Sequence, residues 1–194
     1  MNIRRTAFLL IDMQNDFLHA NGAFGRAGFD IQNRRAIIEH VLKVMHSIRE
    51  QGGCVIATNF IMVADKENKP IISKKLKQKR PFLTRGDFQQ GRWGYQLIDE
   101  LSPADYVVPK IADSGFYMTH LEWLLQKLDI ENIIFAGIWS RPDLNPTIRD
   151  AQQRGFNIFT LSDACGTFDE GPIQMEDLNP TTCAAFIDLL KSNE

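Results

Sequence analysis

The pattern of apolar and polar positions begins with an uninterrupted apolar run at residues 7–11, which Asp12 ends. A strand buried on both faces of a parallel sheet has such a sequence, because helices cover both faces. Four similar short runs follow, at residues 54–60, 106–110, 133–138 and 156–161. We therefore expect five buried strands, with Pro109 placing Lys110 at the end of the third.

Segments with helical spacing separate these runs. One face carries Ile37, Val41, Met45 and Ile48, which predicts a helix from Asn33 to about Gln51. Start signals predict three more helices, which begin at Thr119, at Asn145-Pro146 and at Asn179-Pro180. Residues 18–30 lack a period and are expected to form a loop. The alternation predicts one domain over residues 1–194, a doubly wound, three-layer α/β/α sandwich with a mainly parallel sheet.

Composition excludes several classes of function. The chain has a net charge of −2, which gives no electrostatic reason for a nucleic-acid or membrane partner. No apolar run approaches the roughly 20 residues of a membrane span. Three scattered cysteines and four histidines show no disulfide or metal-site spacing. We expect a reduced, cytoplasmic protein with a small-molecule substrate and without a metal or other cofactor.

Three charged residues follow strand ends on the predicted sheet. Asp12 ends the first strand, Lys110 ends the third, and Asp143 lies between the fourth strand and its helix. The carboxyl ends of parallel strands form the ligand-binding edge of an open α/β sheet. A buried carboxylate there needs a partner. A catalytic group is one interpretation of Asp12, and a helix cap or a structural ion pair is the other.

The segment at residues 65–80 is rich in lysine and has no apolar period. Charge runs of this kind usually lie in water, which favours a solvated surface excursion. The alternative is a basic flap that attracts an anionic substrate.

Several motifs along the chain resemble those of the isochorismatase-like (cysteine hydrolase) family. The sequence LIDMQNDF at residues 10–17 resembles the family's opening signature. Lys110 with the following residues 114–121 resembles its second motif, and residues 137–164 resemble its third. The resemblance extends from about Thr6 to the terminal helix.

This resemblance implies a six-stranded parallel sheet, a homo-oligomer and an Asp–Lys–Cys triad. Asp12 and Lys110 match the first two members of the triad, whereas Asp143 stands where the family has its nucleophilic cysteine. The family's cis peptide corresponds to Trp139-Ser140. The metal-binding branch of the family is not matched, because residues 58–65 contain no histidine.

Without the cysteine, cysteine-type amide hydrolysis is disfavoured. The resemblance also covers isochorismatases, which lack the cysteine and protonate a vinyl ether with the first aspartate before water attacks. A second carboxylate, Asp143, would help to keep Asp12 protonated, while Lys110 would oppose this. We expect a hydrolase of this type that acts on a small anionic molecule. The alternative is a catalytically silent member that binds a small molecule or assembles with a partner.

Other residues are candidates to line the pocket. Aromatic side chains also dominate cores and subunit interfaces, so packing is the alternative role for those in this set. The substrate-binding candidates are Gln14, Phe24, Trp93, Phe116, Trp139 and Ser140. Cys165 and Cys183 are expected to be buried thiols.

Overall fold

A computed structural model of the chain describes residues 1–139, 145–169, 173, 175, 178 and 180–192. Its strands are β1 (Thr6–Ile11), β2 (Cys54–Phe60), β3 (Tyr106–Lys110), β4 (Asn132–Trp139) and β5 (Asn157–Thr167). Its α-helices are α1 (Asn15–Leu18), α2 (Ala23–Arg26), α3 (Ile31–Arg35), α4 (Ile38–Glu50), α5 (Lys74–Lys79), α6 (Leu121–Lys127), α7 (Pro146–Gln153) and α8 (Cys183–Lys191). Short 3₁₀ helices lie at Ile3–Arg5, Trp93–Tyr95 and Asp99–Leu101. No described helix is both long and apolar enough to cross a membrane.

The five strands form one parallel sheet in the order β3-β2-β1-β4-β5. The chain builds outward from β1 to β3 on one side and then crosses to β4 on the other. This confirms the predicted doubly wound α/β fold. The sheet has five strands within the described residues, not the six that the family resemblance implied.

The side chains of β1 alternate between two hydrophobic cores. Phe8 and Leu10 join the core under α4 and α8, whereas Leu9 and Ile11 join the core under α6 and α7. Every residue of β1 is buried. The continuous apolar run of this strand therefore results from helices on both faces, which is the predicted three-layer arrangement.

The predicted helix from Asn33 to Gln51 is two helices, α3 and α4. The side chain of Asp30 accepts a hydrogen bond from the Asn33 N–H at 3.1 Å and caps α3. Asn33 is therefore inside a helix and does not cap one. The apolar face of α4, with Val41, Met45 and Ile48, is buried as its spacing predicted.

Other element boundaries also differ from the prediction. The terminal helix begins later, at Cys183, because the Thr182 hydroxyl accepts the Ala185 N–H at 3.2 Å. At α6, Thr119 lies one residue before the cap position, and its hydroxyl accepts the Leu121 N–H. Strand β5 continues six residues beyond the predicted run, because it keeps pairing with β4 after a bulge near Gly137.

Residues 18–30 contain helical turns where a loop was expected. Helix α1 leads into this segment and helix α2 lies within it. The buried Asp16 carboxylate holds the segment in place by accepting the Ala23 N–H at 2.9 Å and the Phe88 N–H at 2.6 Å. Because Phe88 is 72 residues from Asp16 in the sequence, this contact produces no periodic pattern of apolar residues in the segment. The helical turns could therefore not be predicted from that pattern.

Glycine at position 137 is required where β4 passes β1. Its φ is +124°, and a Cβ there would lie 2.2 Å from the Ile11 carbonyl oxygen. Ile11 directly precedes Asp12. The glycine thus allows two strands to approach closely beside the predicted site.

Candidate active site

Asp12 lies at the carboxyl end of the central strand β1, where the strand order reverses. Its backbone is left-handed, with φ of 55°, and its N–H donates to the Thr58 carbonyl of β2 at 2.9 Å. Ligands of doubly wound sheets bind at such a reversal point. A non-glycine residue in this conformation is strained, and strain of this kind concentrates at functional sites.

Asp12 and Lys110 form a buried ion pair. Lys110 Nζ lies 2.8 Å from Asp12 Oδ2, and the two side chains are 2% and 7% exposed. The other carboxylate oxygen accepts the Phe60 N–H at 3.1 Å. In the sheet register Phe60 is the partner of Lys110, so the ends of β2 and β3 bring both donors to the same carboxylate.

Burial raises the pKa of the Asp12 carboxyl above its ordinary value. Lys110 and the Phe60 N–H lower this pKa but do not cancel the effect of burial, and the Asp113 carboxylate adds a smaller upward influence. Desolvation disfavours the charged form of an acid. The site therefore favours an Asp12 that holds its proton at higher pH than an exposed aspartate does.

The loop after β3 is fixed by hydrogen bonds to α7. The Gly115 N–H donates to the Thr147 hydroxyl at 2.9 Å, and the Ser114 hydroxyl donates to the Asp150 carboxylate. Lys110 Nζ also donates to the Ala112 carbonyl in this loop at 3.2 Å. The second and third sequence motifs therefore meet to hold Lys110 in place.

A cavity of about 570 Å³ opens beside the Asp12–Lys110 pair. Its apolar wall is aromatic, and includes Phe17, Phe24, Phe60, Phe88, Trp139 and Phe168. These rings come from segments far apart in the chain and pack at centroid distances such as 4.5 Å between Phe24 and Phe168. A cavity with apolar walls and a few charged groups is the usual form of a small-molecule site.

Helix α5 supplies the basic side of this cavity. Lys75, Lys79 and Arg80 line it, and the Asp169 carboxylate holds Lys79 at 2.6 Å and Arg80 at 2.5 Å. These partners hold the pKa of Asp169 below its ordinary value, against the opposing effect of its partial burial. Part of the lysine-rich segment therefore lies against the cavity, while most of residues 65–80 are exposed, as expected for a surface excursion. Attraction of an anionic substrate by this segment stays a prediction.

The structure distributes the predicted pocket residues unevenly. Phe24 and Trp139 line the cavity, while Gln14, Trp93 and Phe116 are not among its described lining residues. Trp93 is 43% exposed and contacts the His19 ring edge-on. Phe116 packs in the core under α6, with the Arg154 guanidinium 4.7 Å from its ring centre.

The buried side chain of Gln14 forms hydrogen bonds with the backbone near the site. Its amide nitrogen donates to the Phe60 and Tyr95 carbonyls, each at 2.9 Å, and its oxygen accepts the Phe60 N–H at 2.7 Å. Phe60 is the residue whose N–H also reaches Asp12. Gln14 thus positions a neighbour of Asp12 from the protein interior.

Asp143 and Ser140, together with the peptide between Trp139 and Ser140, lie outside the described residues. The structure therefore leaves the predicted proximity of Asp143 to Asp12 as a hypothesis. Asp113 is the described second carboxylate that acts on Asp12.

None of the three cysteines is among the described lining residues of the cavity, and all three are free thiols. Burial raises the pKa of Cys54 to about 11 and that of Cys165 to about 12, and it also raises the pKa of Cys183. Thiols in this state are poor nucleophiles at neutral pH. Cys165 and Cys183 are buried, which confirms the expectation for both.

Several lining residues were missed from the sequence. Phe60 ends an apolar strand, whereas Phe88 and Phe168 are single aromatic residues in polar, glycine-containing segments, so neither setting indicated a ligand. Asp113 follows Lys110 by three residues, and its spacing from a strand-end lysine was the one available indication.

The chain is similar in sequence to known proteins. A family model described as the Isochorismatase domain matches residues 6–191. The ureidoacrylate amidohydrolase RutB of Acinetobacter baylyi (strain ATCC 33305 / BD413 / ADP1) is 31% identical over 182 residues, 88% of this chain and 74% of that protein. The protein of the same name from Pseudomonas syringae pv. syringae (strain B728a) is 33% identical, over 86% and 72%.

A solved structure has the same fold. The cysteine hydrolase from Pseudomonas syringae pv. phaseolicola 1448A superimposes with a TM-score of 0.79 at 24% identity, covering 100% of this chain and 96% of that chain. At 24% sequence identity, the similarity to this structure establishes the fold of the chain and nothing about its activity. The family model, by contrast, spans nearly the whole sequence, and the chain therefore belongs to the isochorismatase family.

Proposed function

We propose that this family member is a hydrolase that uses Asp12 as its acid–base group and needs no cysteine nucleophile. The observation that carries this proposal is the buried Asp12–Lys110 ion pair beside a cavity of substrate size. A charged pair removed from water costs several kcal/mol per ion before its attraction is counted. Its placement at the ligand-binding edge supports a chemical role for the pair.

The reaction type proposed is the hydrolysis of a vinyl ether. Protonated Asp12 donates its proton to the vinyl carbon, whose double-bond electrons form the new C–H bond and leave an oxocarbenium ion. Water adds to this ion and returns a proton to the Asp12 carboxylate. The resulting hemiketal then separates into a carbonyl compound and an alcohol.

Asp12 and Lys110 have complementary roles in this scheme. Burial raises the pKa of Asp12 and keeps the acid available. Once the proton has left, Lys110 stabilises the carboxylate that forms, at a distance of 2.8 Å. The pair therefore stabilises charge that develops during the reaction, the type of interaction that accelerates a chemical step.

The substrate proposed is small and anionic. The lysines and arginine of the α5 segment at the cavity support a negative charge on the ligand, and the aromatic wall supports an apolar body. The relatives named ureidoacrylate amidohydrolase suggest an alternative reaction, cleavage of a ureido group on an unsaturated acid. That reaction would require a nucleophile other than cysteine here.

The experiment is a turnover panel with the purified chain. Isochorismate is assayed by release of pyruvate, and ureidoacrylate and small amides are assayed by release of ammonia. Pyruvate release that Asp12→Asn abolishes is the expected result. Ammonia release alone would replace the proposed reaction by amide hydrolysis.

A second candidate is a silent family member that binds an anion without turnover. The observation in its favour is the sequence at residues 141–143, where Asp143 replaces the cysteine and Pro142 lacks a backbone N–H. Binding of a substrate in calorimetry together with no turnover in the whole panel would select this candidate.

We also propose that the chain forms a homo-oligomer through the region of the edge strand β3. Large apolar side chains are exposed between residues 106 and 123, namely Tyr106, Val107, Ile111, Tyr117, Met118 and Trp123. Concentrated apolar exposure marks interaction surfaces. Light scattering should give a multiple of the 22.1 kDa chain mass, and a monomer would refute the proposal.

A cytoplasmic location, expected from the unpaired cysteines, stays a prediction.

A further inference from the structure

A second group of chemically reactive side chains lies away from the catalytic cavity. His40 on α4, Asp163 on β5 and Cys183 at the start of α8 place one ligand atom each within 4.8 Å of one another. None of the three is among the lining residues of the cavity. His40 and Cys183 are more than 100 residues apart in the sequence, so the spacing of these residues did not predict the cluster.

We propose that His40, Asp163 and Cys183 form a binding site for a zinc ion. Imidazole nitrogen, thiolate sulfur and carboxylate oxygen are the ligand types that Zn²⁺ accepts. The thiol disfavours Mg²⁺ and Ca²⁺, which take oxygen ligands. This inference is independent of the proposed hydrolase activity.

The separation of two of the ligand atoms suits a tetrahedral ion, and Cys183 Sγ lies within 4.8 Å of both. His40 Nδ1 lies 3.2 Å from Asp163 Oδ2. Bonds of about 2.0–2.1 Å at a tetrahedral angle place two such ligand atoms roughly 3.3 Å apart. The nitrogen and the oxygen are therefore already at the separation that one shared ion requires.

Asp163 is oriented for a single metal bond. Its Oδ1 accepts the Cys183 N–H at 2.8 Å, which fixes the carboxylate against the first turn of α8. Its Oδ2 is thereby directed toward His40. Hydrogen bonds that orient a ligating carboxylate in this way are a regular part of metal sites.

The cluster combines a buried thiol with an open side. Cys183 is 2% exposed, whereas the side chains of His40 and Asp163 are 44% and 30% exposed. An ion can therefore enter from solvent, and water can complete a four-coordinate shell. Bound in this position, zinc would link α4, β5 and α8.

The test is titration of the full chain with Zn²⁺ by calorimetry, after treatment with a chelator and in the presence of a reductant. We expect one ion per chain. His40→Ala and Cys183→Ser should each weaken binding by more than 100-fold, because removing a ligand costs more than the 10–100-fold typical of its outer partners. His46→Ala, an exposed histidine on the same helix, and Cys54→Ser should bind as the wild type does.

A second readout identifies the sulfur ligand. Co²⁺ in place of Zn²⁺ should give the wild type a thiolate-to-cobalt charge-transfer band that Cys183→Ser lacks. Circular dichroism establishes that each variant is folded, and the half-exposed position of His40 makes His40→Ala a mild change. No stoichiometric binding by the wild type, or unchanged binding by folded His40→Ala and Cys183→Ser, would overturn the site.

Discussion

At the scale of single residues, the site depends on opposing effects on Asp12. Burial favours its neutral form, while Lys110 and the Phe60 N–H favour its charged form. Burial is the larger effect, so Asp12 holds its proton to higher pH than an exposed aspartate, and Lys110 stabilises the carboxylate once the proton has left.

The first prediction concerns the energetic coupling of this pair. Asp12→Asn leaves the buried Lys110 ammonium without its carboxylate, which should lower the free energy of unfolding by about 3 kcal/mol. Urea unfolding measures this loss. Adding Lys110→Met to Asp12→Asn should restore much of the stability but none of the activity. Equal stability of the wild type and Asp12→Asn would contradict the ion pair as described.

The second prediction concerns pH. Because the pKa of Asp12 is raised and the proposed acid is its protonated form, kcat/KM should be highest at low pH. It should decrease as the pH rises through this pKa, by about tenfold per pH unit. A pH–rate profile over the range in which the protein is folded tests this. Activity that increases with pH would indicate a base or a thiolate instead.

At the scale of elements, helix α5 joins the lysine-rich segment to the cavity. Ser73 caps the helix by accepting the Leu76 N–H at 3.1 Å, and Asp169 anchors its end through Lys79 and Arg80. Lys75 lines the cavity and is exposed, with no ion pair to another described residue. Its charge is therefore available to a ligand.

The third prediction follows from this position. Lys75→Ala should raise KM for an anionic substrate by roughly 3–10-fold and leave kcat nearly unchanged, because an exposed charge contributes about 1 kcal/mol and acts on binding. Lys77→Ala is the matched control, since Lys77 lies on the same helix and does not line the cavity. If both substitutions raised KM by a similar factor, the effect would come from the overall positive charge of α5 and not from the position of Lys75 at the cavity.

The fourth prediction concerns the crossing of β1 and β4. Gly137→Ala places a methyl group 2.2 Å from the Ile11 carbonyl in a strained backbone conformation, and should cost more than about 3 kcal/mol of unfolding free energy. Gly28→Ala is a control, because Gly28 also has positive φ, +85°, but open space around it. Its cost should stay near 1 kcal/mol. Equal thermal shifts of the two variants would show that the close approach is unimportant.

At the scale of the whole molecule, the layers and the parallel sheet were predicted from the sequence, whereas the order of the strands was not. The central strand β1 is buried on both faces, and this burial is what produces its apolar run at residues 7–11. The ends of these strands also fixed the positions of Asp12 and Lys110. The burial of a strand and the residue at which it ends can both be predicted from the local pattern of apolar and charged residues.

The cavity could be predicted only in part, because long-range contacts build it. Phe24, Phe88 and Phe168 meet from three distant segments, and nothing near any of them in sequence indicates the other two. Helix α5 was missed because its buried contacts are few and its anchor, Asp169, lies about 90 residues away. Contacts between residues so far apart in the sequence can be identified only in the folded structure.

The most direct test of a hydrolase that depends on Asp12 and on no cysteine is the rate of pyruvate release from isochorismate by three proteins. These are the wild type, Asp12→Asn, and a variant with Cys54→Ala, Cys165→Ala and Cys183→Ala. The account predicts release by the wild type and the cysteine-free variant, and a loss of 10²–10⁴-fold in Asp12→Asn, the range for a general acid. Undiminished release by Asp12→Asn, or release that disappears with the cysteines from a folded variant, would contradict it.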